Sequence, residues 1–128
     1  MSDELWYLDA SELAQLIATR EMSPVDIVDA HLSRIESINP KINAIVEVVE
    51  SATEKAKQAE RKQLKNKEPL GPLHGVPFTI KDCIDTAGIR TTRGSRLFQH
   101  HLPSRNATVV QRLQDAGGIL IGKTNMPE

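Results

Sequence analysis

A chain of 128 residues has room for one hydrophobic core and one domain. Apolar residues make up 39% and charged residues 26%, an ordinary globular balance, and a net charge of −1 gives no field toward nucleic acid or an anionic membrane. No apolar run approaches the ~20 residues of a membrane span, and Met1-Ser2-Asp3-Glu4 lacks the basic start and apolar stretch of a signal peptide, so a cytoplasmic location is expected, in keeping with a single cysteine, Cys83.

In chain order, Trp6 and Tyr7 are expected to anchor the N-terminal segment. Asp9 with Glu12 three residues on is a capping-box variant, and Leu13, Leu16 and Ile17 form the apolar face of a first helix. Ser23-Pro24 starts a second helix, a capping hydroxyl before a proline at the first helical position, with Val28, Leu32, Ile35 and Ile38 as its buried stripe and Asn39-Pro40 as its stop. Asn43 to Val48 reads as a short strand or extended link, although Val46, Val48 and Val49 could equally open the next helix. From Glu50 to about Lys67 good helix formers predict a third helix, with Ala52, Ala56, Ala59 and Leu64 as a thin apolar seam and Glu54 attracting Lys57. Acids mixed among its bases make this a solvated helix face rather than a nucleic-acid patch. Pro69, Gly71 and Pro72 break it.

The next stretch, Gly75-Val76-Pro77-Phe78-Thr79-Ile80-Lys81-Asp82, is an apolar, alternating run that ends in a cation and an anion. Val76, Phe78 and Ile80 fall two apart on one face of a strand, so Lys81 points to the other as the strand runs out. Ligands in open α/β sheets bind outside the carboxyl ends of strands, which makes Lys81 a candidate base, nucleophile or clamp. The plainer alternative is a surface lysine paired with Asp82. A long polar loop follows to Ser95, Arg96 to His101 can make a helical turn, and Ala107 to Ala116 reads as a helix capped by Ser104 or Asn106, with Val109, Val110 and Leu113 inward and Gly117 as its end. Gly118 to Gly122 reads as a buried parallel strand, so that a βαβ unit brings Lys123, Thr124 and Asn125 to the same sheet edge as Lys81.

Other motifs carry less. Gly117 to Thr124 satisfies G-x-x-x-x-G-K-[ST], yet a helix precedes it and Ile119-Leu120-Ile121 would put a strand inside the loop, so phosphate binding is not expected. Cys83 has no thiol-hydrolase signature with His31, His74, His100 or His101, and a small, buried or half-buried cysteine is expected instead. Adjacent His100 and His101 make a poor metal pair.

The lysine strand, with Thr86-Ala87-Gly88 and Thr91-Thr92-Arg93-Gly94-Ser95 after it, resembles the amidase signature family. So do Asn106-Ala107-Thr108-Val109-Val110, the block Ala116 to Met126, and the opening with Ser23-Pro24 and Asn39 to Ala44. The resemblance implies an α/β fold: the N-terminal part of the amidase signature fold, a mixed β-sheet core flanked by helices, incomplete in this chain. Residues 1–70 would be its mainly helical part and 71–128 its strand-loop-helix-strand part carrying the lysine, with no second domain. It implies a hydrolase acting on a small-molecule carboxamide through a serine acyl-enzyme, with no metal or organic cofactor and no nucleic-acid or membrane partner. Lys81 matches the family's catalytic lysine. The family's two serines lie in segments farther along, and Ser95, in a different block, is not one of them. A lysine must be neutral to accept a proton, a state that burial favours.

Two alternatives stand beside this reading: a non-catalytic binding module or remnant, and the amidase component of a tRNA-dependent glutamine amidotransferase. Asp82-Cys83-Ile84 departs from the Asp-Asn-Ile expected in that subgroup. The start at Met1 reads as native and the end at Glu128 as falling in mid-motif. Strands with uncovered apolar edges aggregate, so the 128-residue piece alone is expected to fold poorly. A cooperative melt with a monomeric elution volume would contradict this.

Overall fold

Local signals set the helices of this chain, and a computed structural model describes them over residues 2–65 and 70–127. After a 3-10 turn at Ser2–Tyr7, helix α1 spans Ala10–Ala18. Its start is the expected capping box: the Asp9 carboxylate accepts from the Glu12 N–H at 2.8 Å and the Glu12 carboxylate from the Asp9 N–H at 2.8 Å. Leu5 rather than Tyr7 anchors the preceding turn, since Leu5 is buried and Tyr7 is 76% exposed. Trp6 is half-buried, with the Arg34 guanidinium 5.0 Å from its ring centre.

Helix α2 spans Pro24–Ile42, with Ser23 Oγ accepting from the Asp26 N–H at 3.1 Å. It runs through Pro40, where a stop was expected. A proline this late removes one bond of the final turn, and a residue in the left-handed region, Asn43 at φ 49°, then ends the helix. Asn39 makes the exit orderly, because its side chain donates to Ile45 O at 2.9 Å and accepts from Ile45 N–H at 2.8 Å, as a neighbouring strand would.

Ile45–Val48 is strand β1, which settles the open choice there in favour of a strand. Helix α3 spans Ala52–Lys65; Lys67 and Pro69, where its end and breaker were expected, lie outside the described residues. Ala52 and Ala56 are buried, but Gln63, not Leu64, continues the seam, and Leu64 is 64% exposed. Gln63 Nε2 donates to Ile17 O at 2.5 Å, a second bond to a carbonyl in the last turn of α1 that also accepts from the Arg20 N–H at 3.0 Å. Glu54 pairs with Arg61 at 3.3 Å rather than with Lys57.

Strands β2, Pro77–Lys81, and β3, Ile119–Thr124, complete a mixed sheet of order β1-β3-β2, with β3 antiparallel to β1 and parallel to β2. The connection between the parallel strands carries a 3-10 turn at Arg96–Phe98 and helix α4, Thr108–Asp115, the expected strand-helix-strand order. Neither Ser104 nor Asn106 caps α4: Ala107 occupies that position without a side-chain bond, and Val109 is 47% exposed while Val110 is buried. Asn106 ties loops together instead, its Oδ1 accepting from the Ala87 N–H at 2.8 Å and its Nδ2 donating to Gln111 and Gln114.

Central β3 is covered on both faces. Ile119 and Ile121 pack with Val28, Ala52 and Ala56 of α2 and α3, whereas Leu120 packs with Val49, Ile80 and Val110 on the side of α4. Val76, expected on the face of Phe78 and Ile80, precedes β2 and joins a third cluster with Leu5, Leu13, Ile17 and Ile27. Among the described residues no helix is long and apolar enough to cross a membrane.

Candidate functional site

The parallel pairing of Lys81 with Thr124 puts the carboxyl ends of β2 and β3 side by side. Ile80 is buried and Lys81 exposed, so the two point to opposite faces as the alternation of a strand requires. Lys81 Nζ has no hydrogen-bond or ion-pair partner among the described residues. Asp82 is not its counter-ion. That carboxylate is buried and accepts from the backbone N–H of Thr92 at 3.1 Å and from the Thr92 hydroxyl. Asp82 also donates its N–H to Thr124 O at 2.9 Å, and Ile84 N–H donates to Lys81 O at 2.9 Å, so the turn after Lys81 is held by backbone and side chain together.

The buried lysine of this edge is Lys123, which sequence reasoning placed at the right edge without a role. It is 0% exposed, and Nζ donates to Ile84 O at 2.7 Å, Thr91 Oγ1 at 2.9 Å and Thr86 Oγ1 at 3.0 Å. A register shift explains its direction. Phe78 pairs with Leu120 but Thr79 with Gly122, so Ile121 is an extra residue on β3, and beyond it the faces exchange. Lys123 pairs with Ile80 and lies on the Ile80 face, beneath the 84–91 loop, although two-residue alternation from Ile119 and Ile121 would put it under α2 and α3. A bulge of this kind leaves no mark in a run as uniform as Ile119-Leu120-Ile121. The strand inside Gly117 to Thr124 also disposes of the phosphate-loop match, because its lysine is spent on this loop.

Desolvation lowers the Lys123 pKa below the ordinary lysine value, against the opposing charges of Asp82, Asp85 and Cys83. Between that lowered value and the ordinary ~10.4 the unfolded chain binds more protons than the folded one, so this residue's contribution to stability rises with pH in that window. The parent is therefore expected to gain stability relative to Lys123→Met as pH is raised from 7 toward 10, read as the parent's melting temperature minus the variant's; a difference that falls with pH would contradict it.

The remaining candidates take structural places. Cys83, expected buried or half-buried, is exposed. His74 is buried with Nε2 2.8 Å from Ala59 O, and His31 Nδ1 lies 2.7 Å from Ile27 O one turn back in its own helix. His101 packs edge-on against Phe98. Ser95 Oγ accepts from the Leu97 N–H at 3.2 Å, capping the 3-10 turn. Arg93 reaches Asp85 at 3.3 Å and Arg90 reaches Glu47 at 3.0 Å, bracing the same loop from outside.

The model of the amidase family matches residues 26–128. The chain belongs to the amidase family. An acylamidase from Rhodococcus erythropolis is 45% identical over 125 residues, covering 97% of this chain and 26% of its own length. A glutamyl-tRNA(Gln) amidotransferase subunit of Carboxydothermus hydrogenoformans is 43% identical over 126 residues, covering 98% of this chain and 26% of its own. Among solved structures, the native peptide amidase of Stenotrophomonas maltophilia matches with a TM-score of 0.85 at 33% identity, over 92% of this chain and 24% of its own. A bacterial aryl acylamidase of the amidase signature family matches at 0.86 and 30%, over 94% of this chain and 25% of its own. This chain thus spans about a quarter of the amidases it resembles, and its mixed sheet with flanking helices is a part of their fold.

Proposed function

We propose that the chain is part of an amide hydrolase that converts small-molecule carboxamides to carboxylate and ammonia through a serine acyl-enzyme, with Lys81 as the base. The observation that most supports this is the position of Lys81: the one lysine in the family's strand block stands exposed at the carboxyl edge of β2, on the face opposite the packed Ile80. Neutral Lys81 Nζ would accept a proton from a bridging serine, which takes the proton of the nucleophilic serine as its oxygen bonds to the amide carbon. As the tetrahedral adduct collapses, the proton held by Lys81 returns through the bridging serine to the leaving nitrogen, the C–N bond breaks and ammonia departs, and water then cleaves the ester to give the carboxylate and return the serine. On this reading both serines, and the backbone donors that would stabilise the oxyanion, would come from parts of the enzyme outside these 128 residues. Balanced charge and a lone cysteine favour the cytoplasm as its compartment.

Likeness to an amidotransferase component supports a second reading, in which the ammonia comes from glutamine and serves a partner protein. Cys83, where that subgroup would carry asparagine, weighs against it. Ammonia release from glutamine and from simple primary amides, assayed side by side with Lys81→Ala as the control, separates the two. Hydrolysis that survives Lys81→Ala sinks both, and an intact gene product lacking any serine segment beyond Glu128 leaves a binding module.

A further inference from the structure

Lys123 is the largest fully buried side chain among the described residues, and the mechanism above does not use it. Its bonding is stoichiometric. Thr86 Oγ1 gives its hydrogen to Ile84 O at 3.1 Å and Thr91 Oγ1 gives its own to Ile89 O at 3.0 Å, so both hydroxyls can only accept at Lys123. Three acceptors, Ile84 O and the two hydroxyls, therefore meet the three hydrogens of one ammonium. Each acceptor sits in the loop that follows Lys81, and none in the strand that carries Lys123.

The link to Lys81 is short. Ile84, whose carbonyl Lys123 grips at 2.7 Å, is the residue whose N–H closes the turn on Lys81 O at 2.9 Å. Asp82, between them, is fixed by Thr124 O on one side and by Thr92 and Arg93 N–H on the other. The backbone that aims Lys81 is thus pinned from below by β3, and Lys123 is the only side chain of β3 bonded to that loop among the described residues. We propose that Lys123 is a positioning residue for amide hydrolysis, an ammonium pin through Ile84 O, Thr86 and Thr91 that fixes the turn from which Lys81 reaches the reacting serines. The inference rests on the proposed role of Lys81.

Methionine is the informative replacement. It keeps the length and apolar bulk of the lysine stem, and because both threonine hydrogens already have acceptors, its loss of donors leaves no orphaned N–H or O–H in the core. In the full-length enzyme Lys123→Met should lower kcat about 10–100-fold, the scale on which misplacing a reacting group acts, with a smaller change in KM. The acid limb of its kcat/KM against pH should move as well, since that limb reports the base in the free enzyme. Amides 82–95 should exchange hydrogen faster. Thr91→Val, which removes one acceptor and no charge, should move the same readouts in the same direction by less. Val28→Ala, a core cavity under the opposite face, should lower stability and leave the pH limb in place.

Parental kcat and pH limb in both Lys123→Met and Thr91→Val would overturn the proposal. If Lys123→Met does not fold, Thr91→Val alone decides it by the same criterion. Failure of the underlying reading has a different signature, hydrolysis that persists in Lys81→Ala, and it would remove the positioning role along with the base.

Discussion

Lys81→Ala in the full-length enzyme is expected to lower kcat/KM for amide hydrolysis by at least roughly 10²–10⁴-fold, the usual worth of a positioned general base, without a matching loss of stability. The two halves of this expectation come from the same geometry. Lys81 Nζ is bonded to nothing among the described residues and its side chain is exposed there, so truncation opens no cavity in this part of the fold and strands no partner other than the bridging serine itself. The backbone turn around it is held by Asp82, Ile84 and Thr124 through groups that alanine leaves intact. Lys81→Arg tells a base from a clamp. A guanidinium stays protonated at every working pH and cannot take up a proton, yet it binds anionic groups at least as well as an ammonium. Base catalysis predicts that arginine is as damaging as alanine, whereas a clamp predicts substantial activity in Lys81→Arg. Steady-state kinetics on a primary amide, with melting temperatures of both variants, reads the difference, and an active Lys81→Arg would end the base assignment.

What the sequence made legible was whatever depends on neighbours a few residues apart. The Asp9 capping box, the Ser23-Pro24 start and the Gly117 stop are local devices, and each is found where it was read. The parallel βαβ order followed from strand, helix and strand in sequence, and it correctly put Lys81 and Lys123 at one edge. Misreadings arose where a distant partner decides. The spacing of Ala52, Ala56 and Ala59 leads to position 63, but its polarity diverted the reading to Leu64; only an acceptor 46 residues away, the carbonyl of Ile17, makes a buried glutamine favourable. Pro40 looked like a stop because the sequence does not show that Asn39 turns back onto Ile45 and lets the final turn form first.

The candidate site divides in the same way. Lys81 was found by pattern, as the charge that ends an apolar alternation, and a family resemblance assigned it a role. Its exposed state entered only through the plainer alternative of a surface lysine, since the pattern says only which face it takes, and the Asp82 partner of that alternative is not there. Lys123 ends an equally apolar run, and that is the signal that could have found it. Its direction depends on the bulge at Ile121, and its three acceptors lie 32 to 39 residues away. A buried lysine is costly unless its hydrogens are all engaged, so a charge closing a fully buried strand should prompt a search for a loop of threonines and carbonyls above it.

Gly117→Ala is expected to cost the largest stability of any single methyl group added to this chain's glycines outside Gly71, about 3–5 kcal/mol, the range reserved for strain and overpacking combined. Gly117 lies at φ +99°, a conformation that L side chains rarely adopt, and a Cβ there would stand 2.6 Å from His74 Cα and 2.9 Å from His74 N. Backbone atoms cannot swing aside as a side-chain tip can. His74 is itself held, buried with Nε2 against Ala59 O, while Gly75 N–H donates to Gly117 O at 2.9 Å and Leu73 N–H to Ala116 O at 2.9 Å. Those bonds dock the exit of α4 onto the entry to β2, so relief of the clash must part the two segments that set β2 beside β3. Gly88→Ala is the control. It shares the positive φ, at +72°, but its Cβ would meet nothing within 4 Å, so it should cost only the conformational penalty, about 1–2 kcal/mol. Urea unfolding of the two variants then isolates the contact from the backbone preference. Equal losses would mean that α4 and the approach to β2 can separate without penalty, and that the edge carrying Lys81 and Lys123 is held by its loop alone.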